Sequence, residues 1–129
     1  MTMKKSFEDL EIYQISLSLF FKVHAVTQRL PKFEMYELGS QIRRSSDSVV
    51  SNIVEGYGRR IYKNEFLRFL YFSHASTLET ICHLNKLINL YPVLSVEMIK
   101  IRDDFKKLGV KQHNFIVFVH KFWKQPQIE

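Results

Sequence analysis

The stretch Gln41–Gly56, QIRRSSDSVVSNIVEG, constrains this chain more than any other segment. Its spacing is helical, yet one face carries a ladder of polar side chains. Gln41, Arg44, Ser48, Asn52 and Glu55 recur at steps of three or four, so they align along one side. Leu38, Ile42, Val49 and Ile53 occupy another face, widened by Val50 and Val54. A surface helix fills its polar face with long charged residues. Ser and Asn compete for backbone hydrogen bonds and are mediocre in helix interiors. Here they predict close packing on a neighbouring helix or a buried polar network.

The same periodicity extends over the chain in four segments. The first runs over about 7–30, with Ser6 as N-cap, Asp9 completing a loose capping box, and Pro31 as the stop. Its stripe is Ile12, Ile15, Leu19, Val23, Val26 and Leu30. The second covers about 35–59, with Gly39 inside its start and Gly56 and Gly58 as stop signals. The third covers about 62–89, with Phe66, Phe69, Leu70, Ser73, Thr77, Ile81, Leu84 and Ile88 facing inward. The fourth covers about 95–123, with Ser95 as N-cap, Gly109 as a bend or break, and Pro126 as the stop. Its inward residues are Ile101, Phe105, Leu108, Phe115, Phe118, Val119 and Phe122. Such helices are roughly 35–40 Å long at 1.5 Å per residue. Short connections make neighbours antiparallel, so the expected fold is an all-α, up-down-up-down four-helix bundle in a single domain, 1–129.

Composition agrees with that class. Four Gly and three Pro are too few for a turn-rich β protein. The single Cys82 excludes an internal disulfide framework, points to the cytoplasm, and is expected to be buried packing. The N-terminus does not read as a signal peptide, and no apolar run approaches the roughly 20 residues of a membrane span. Leu10, Tyr13, Leu17, Phe20 and Phe21 lie off the first stripe; Leu67, Tyr71, Phe72 and Leu78 lie off the third. A bundle monomer buries one stripe per helix, so this surplus predicts a homo-oligomer.

The net charge of +6 is uneven. Residues 92–125 hold seven cations against three acids, and the N-terminal tip adds Lys4 and Lys5. The excess reads as a footprint for RNA or DNA, or simply as a solubility device. Two groups stand out. Arg59, Arg60, Lys63 and Arg68 surround the second connection, interleaved with Tyr57 and Tyr62. Lys100, Arg102, Lys106, Lys107 and Lys111 spread over the fourth helix. Arginine forks grip phosphates and tyrosine rings stack on unpaired bases.

Read in order, several elements together resemble a known group. They are Phe7 and Leu10, Glu34, the Gln41–Arg44 run, and S-x-x-x-N-I-x-E-G at Ser48, Asn52, Ile53, Glu55 and Gly56. Phe66 to Phe69 then leads to S-x-x-E at Ser76 and Glu79. The chain resembles small bacterial four-helix-bundle proteins first met in intervening sequences of the large-subunit ribosomal RNA gene. Ala75 replaces a glycine often found in that group, and the last quarter adds no shared motif. The resemblance implies a scaffold of antiparallel helices assembled into a ring, commonly a pentamer. It also implies nucleic-acid binding and no established catalysis. A related branch comprises accessory proteins of diversity-generating retroelements, which work beside a reverse transcriptase; this makes a protein-interaction scaffold or adaptor the alternative reading.

Other constellations are weak. The ladder is expected to form a structural network in which Asn52 and Glu55 meet Ser76 and Glu79, with Arg44 or Gln41 neutralising the acids. Its alternative role is to line a ring lumen and contact a ligand. Arg68 and His74 fit a lax ribonuclease spacing that chance also supplies. Glu79 and His83 could share a metal, but no Glu-x-x-His motif of bundle di-iron sites occurs. Neither a catalytic residue, a metal nor a cofactor is expected.

Overall fold

The computed structural model describes residues 6–124. Among them every regular element is helical. Helix α1 spans Glu11–Thr27, α2 Lys32–Tyr36, α3 Leu38–Gly58, α4 Lys63–Leu90 and α5 Ser95–Phe122, with 3-10 turns at Phe7–Asp9 and Pro92–Leu94. The four long helices enclose one core: α1 packs on α3 and α5, and α4 packs on α3 and α5. Phe66, Phe105, Ile42, Ile53, Leu84 and Met98 are fully buried at its centre. Lys4, Lys5 and Pro126 lie outside the described residues.

The ends differ from the expected boundaries for local reasons. The Ser6–Asp9 capping box forms, but it closes a 3-10 turn. Leu10 is then extended (ψ 126°), and α1 begins after it. At the other end α1 stops at Thr27, and Pro31 starts α2 instead of ending α1. The helix expected over about 35–59 is therefore α3 alone, preceded by the short α2, with the break at Glu37 (φ −100°, ψ −99°). The buried Glu34 bridges that break. One carboxylate oxygen accepts from the Leu38 backbone N–H at 3.2 Å, satisfying a free donor of α3. The other accepts from the Tyr91 hydroxyl at 2.6 Å, tying the break to the end of α4. Arg43 donates to the Met35 carbonyl at 2.8 Å.

Three turn signals act otherwise than expected. Gly56 lies inside α3, where a Cβ would stand 2.9 Å from the Phe69 Cβ; its role is close helix approach. Gly109 interrupts nothing, since α5 is continuous through it. Ser95 is the first residue of α5, and its hydroxyl donates to the Pro92 carbonyl at 2.7 Å instead of capping.

The stripes shift as well. In α5 the buried positions are Met98, Ile101, Phe105, Leu108, Gly109, Gln112, Ile116 and Val119, while Phe118 and Phe122 are exposed. In α4 Leu67, Thr80 and Leu87 are buried, whereas Phe69, Ile81 and Ile88 are only half-buried. Ile15 and Phe115 are also half-buried. Cys82, expected inside, is exposed.

Candidate nucleic-acid interface

The polar ladder divides into a packed half and an exposed half. Ser48 and Ser76 share a hydrogen bond of 2.9 Å between α3 and α4, and Asn52 donates to the Ser48 hydroxyl at 2.9 Å and its carbonyl at 2.8 Å. The acids do not join them. Glu55 is exposed and accepts from Arg59, while Glu79 is exposed beside His83 at 3.3 Å. Arg44 is exposed and donates to Ser40 at 2.7 Å, and Gln41 is exposed. Long flexible acids at the rim of the helix interface find partners on their own helix or connection, so only the short side chains meet across it.

A deeper network went unread in the sequence. Gln112 of α5 donates to the Ser73 hydroxyl at 2.8 Å and accepts from Thr77 at 2.7 Å. Ser73 donates to the Val49 carbonyl of α3 at 2.6 Å, and Ser45 and Thr80 pair at 2.8 Å. Ser73, Thr77 and Gln112 are almost fully buried, and hydrogen bonding offsets their desolvation. The available signal was the position of Gln112 four residues after Leu108 and four before Ile116, in register with the apolar stripe.

The cations of the second connection lie on rings. The Arg60 guanidinium sits 4.0 Å from the Tyr57 ring centroid, Arg59 5.0 Å from Phe69, and Arg68 5.3 Å from Phe72. Two acids enter the group: Arg59 pairs with Glu55 at 2.9 Å and Glu65 at 3.3 Å, and Arg68 with Glu65 at 3.4 Å. The hydrogen bond from Arg59 to Glu55 leads the interactions raising the guanidinium pKa above its ordinary value.

The fold then adds what the sequence kept apart. Lys63 donates to the His120 carbonyl at 2.8 Å in the last turn of α5, where the helix dipole favours a cation. Trp123 donates its indole N–H to the Arg60 carbonyl at 3.2 Å and packs edge-on against Phe66. These contacts place the exposed Lys121, Phe122 and Lys124 at the same end of the bundle as Arg59, Arg60, Tyr62 and Lys63. Tyr62 is 52% exposed and Phe122, beside the Phe118 ring, 66%, so both rings present surface among the cations.

The second basic group stays separate. Lys100 pairs with Asp104 at 2.9 Å, Arg102 with Asp103 at 3.3 Å, and Lys111 with Glu11 of α1 at 2.7 Å. The Lys100 hydrogen bond, above all, holds the Asp104 carboxyl below the usual range against the opposing effect of burial. Lys106 and Lys107 have no ion-pair partner among the described residues. Arg68 faces the Phe72 flank, whereas His74 lines a groove with Leu78, Val110 and His113, so these two do not converge. Among the described residues no three metal-ligating side chains cluster, and no helix is long and apolar enough to cross a membrane.

Comparison with known proteins is consistent with this all-helical architecture. No curated protein matches the chain. A family model described as 23S rRNA-intervening sequence protein matches residues 8–112, covering all of α1 through α4 and more than half of α5. The chain belongs to the 23S rRNA-intervening sequence protein family.

Proposed function

We propose that this protein is a non-enzymatic, cytoplasmic bundle that binds RNA or DNA electrostatically and assembles with copies of itself. The observation that carries this reading is the basic end built by Arg59, Arg60, Lys63, Lys121 and Lys124, with Tyr62 and Phe122 exposed among them. Ammonium and guanidinium groups neutralise phosphates, and the free rings stack on unpaired bases. Glu55 and Glu65 temper Arg59 and Arg68 without cancelling the cations around them. The family description supports an RNA setting. A role beside a nucleic-acid enzyme such as a reverse transcriptase is the alternative, in which the same scaffold serves a protein partner.

The up-down-up-down order draws support from side-chain pairs: Arg29 near the end of α1 meets Glu97 at the start of α5, while Glu11 at the start of α1 meets Lys111. Self-assembly, into a ring such as a pentamer, draws support from apolar side chains left in solvent. Phe21 on α1, Tyr71 and Leu78 on α4 and Val110 on α5 are all more than half exposed. A ring would repeat the basic end and bind by avidity.

The test is binding of labelled single-stranded RNA and DNA across a salt series, with solution mass measured alongside. Affinity should fall steeply with salt, and Lys121→Glu with Lys124→Glu should lower it at least tenfold. Salt-independent binding, or binding unchanged in that double variant, would reject the basic end and favour the adaptor reading.

A further inference from the structure

A groove of about 380 Å³ lies between α1 and α5, away from the basic end. Its floor is Ile15, Leu19 and Leu108, all aliphatic. Lys22, Lys107 and Lys111 also line it, and a lysine can lay its methylene stem along apolar surface while its ammonium head stays in water. No aromatic side chain lines it, so it offers no face for stacking a base. One acid, Asp104, is itself part of the lining and pairs with Lys100; Glu11, outside the lining, pairs with Lys111. Lys22 and Lys107 have no acid at ion-pair distance among the described residues. They line the same groove from opposite helices, Lys22 from α1 and Lys107 from α5.

From this juxtaposition we infer that the α1–α5 groove binds an amphipathic anion, a short hydrocarbon chain ending in a carboxylate or phosphate. The chain lies on Ile15 between the lysine stems, and the head group pairs with Lys22 and Lys107. The volume falls within the range of small-molecule sites. Gln14 and Lys22 mark its extent along α1, roughly 12 Å at the helical rise, which suits a medium-length chain. The inference does not rest on nucleic-acid binding and is tested without nucleic acid.

The experiment is calorimetric titration of the purified protein with decanoate below its micelle concentration. Decyl phosphate distinguishes the phosphate head from the carboxylate; decanol and acetate isolate the chain and the charge. Saturable binding of decanoate or decyl phosphate is expected, tighter than either control. Affinity should rise with chain length by up to roughly fourfold per buried CH₂. Lys107→Glu should weaken binding about tenfold, while Lys32→Glu, outside the lining, leaves it unchanged. Ile15→Asp should abolish it with the circular dichroism spectrum retained. Lys107→Glu alone decides if the Asp variant unfolds. No saturable binding of either long-chain anion, equal binding of decanol or acetate, or indifference to Lys107→Glu would overturn the assignment.

Discussion

At the scale of single residues, packing distance decides what composition leaves open. Gly56 and Gly58 read alike in the sequence, as helix stops. Gly56 is wedged against α4, where a Cβ would meet the Phe69 Cβ at 2.9 Å and the Phe66 carbonyl oxygen at 3.3 Å; around Gly58 nothing lies within 4 Å. Gly56→Ala should therefore destabilise by about 1–2 kcal/mol, overpacking exceeding the helix-propensity gain. Gly58→Ala should stabilise by roughly 0.5–1 kcal/mol, because alanine narrows the unfolded ensemble. Urea unfolding of both variants checks the opposite signs. The buried network has a similar asymmetry. Ser73→Ala removes the acceptor for the Gln112 amide, and leaving that donor unpaired costs about 1–3 kcal/mol. Ser73→Ala with Gln112→Leu should lose less than the two single changes summed, which a double-mutant cycle in urea measures. The polar ladder was legible as a motif because its period is helical. Which of its members touch was not, since Glu55 and Glu79 have reach enough to leave the interface.

At the scale of elements, the α2–α3 break depends on one buried carboxylate. Glu34 accepts from Leu38 and from Tyr91, so it fixes the entry of α3 against the end of α4. The bond to Glu34 is the largest cause pushing the Tyr91 phenol up to about 12 from 10.0. The phenol donates only when protonated, and its folded pKa exceeds its unfolded value. The stability it contributes is thus fully present below about pH 10 and is lost as pH rises through 12. Unfolding midpoints measured across that window should fall, and Tyr91→Phe should flatten that part of the profile. A flat wild-type profile would contradict the coupling. The break itself was hidden because Lys32–Gly58 has helical periodicity nearly throughout. The backbone departs at Glu37, and a side chain from 57 positions away stabilises the departure.

At the scale of the whole molecule, surface charge and exposed apolar area set the expected behaviour. Removing one phosphate-neutralising cation from the basic end should reduce the slope of log affinity against log salt by roughly 0.7–0.9. Lys121→Glu thus lowers both affinity and slope, which equilibrium titration at several ionic strengths reads directly. If Tyr71, Leu78 and Val110 form an interface between copies, Leu78→Asp should shift the solution mass toward one chain, measurable by light scattering. An unchanged multimer mass would place the interface elsewhere. The position of the basic end was not legible, because Arg60 and Trp123 are remote in the chain and meet only after α5 returns alongside α4. A charge count marks the last quarter as basic without indicating that Lys121 and Lys124 lie at the Lys63 end of the bundle.

The sequence by itself determined four long helices, their approximate spans, most of the α1 and α3 core, and a motif set sufficient to name the family. These follow from local rules, namely helical periodicity and the positions of proline and glycine. Tertiary structure alone decided the split at Glu37, the role of Gly56, the burial of Gln112 in place of Phe118 and Phe122, and the grouping of cations. In α5 the largest apolar side chains suggest one face, whereas the helix buries the positions whose angular register faces its neighbours. Period fixes which residues share a face. Only packing against the other helices selects the face that is buried, and only return of the chain brings distant charges together.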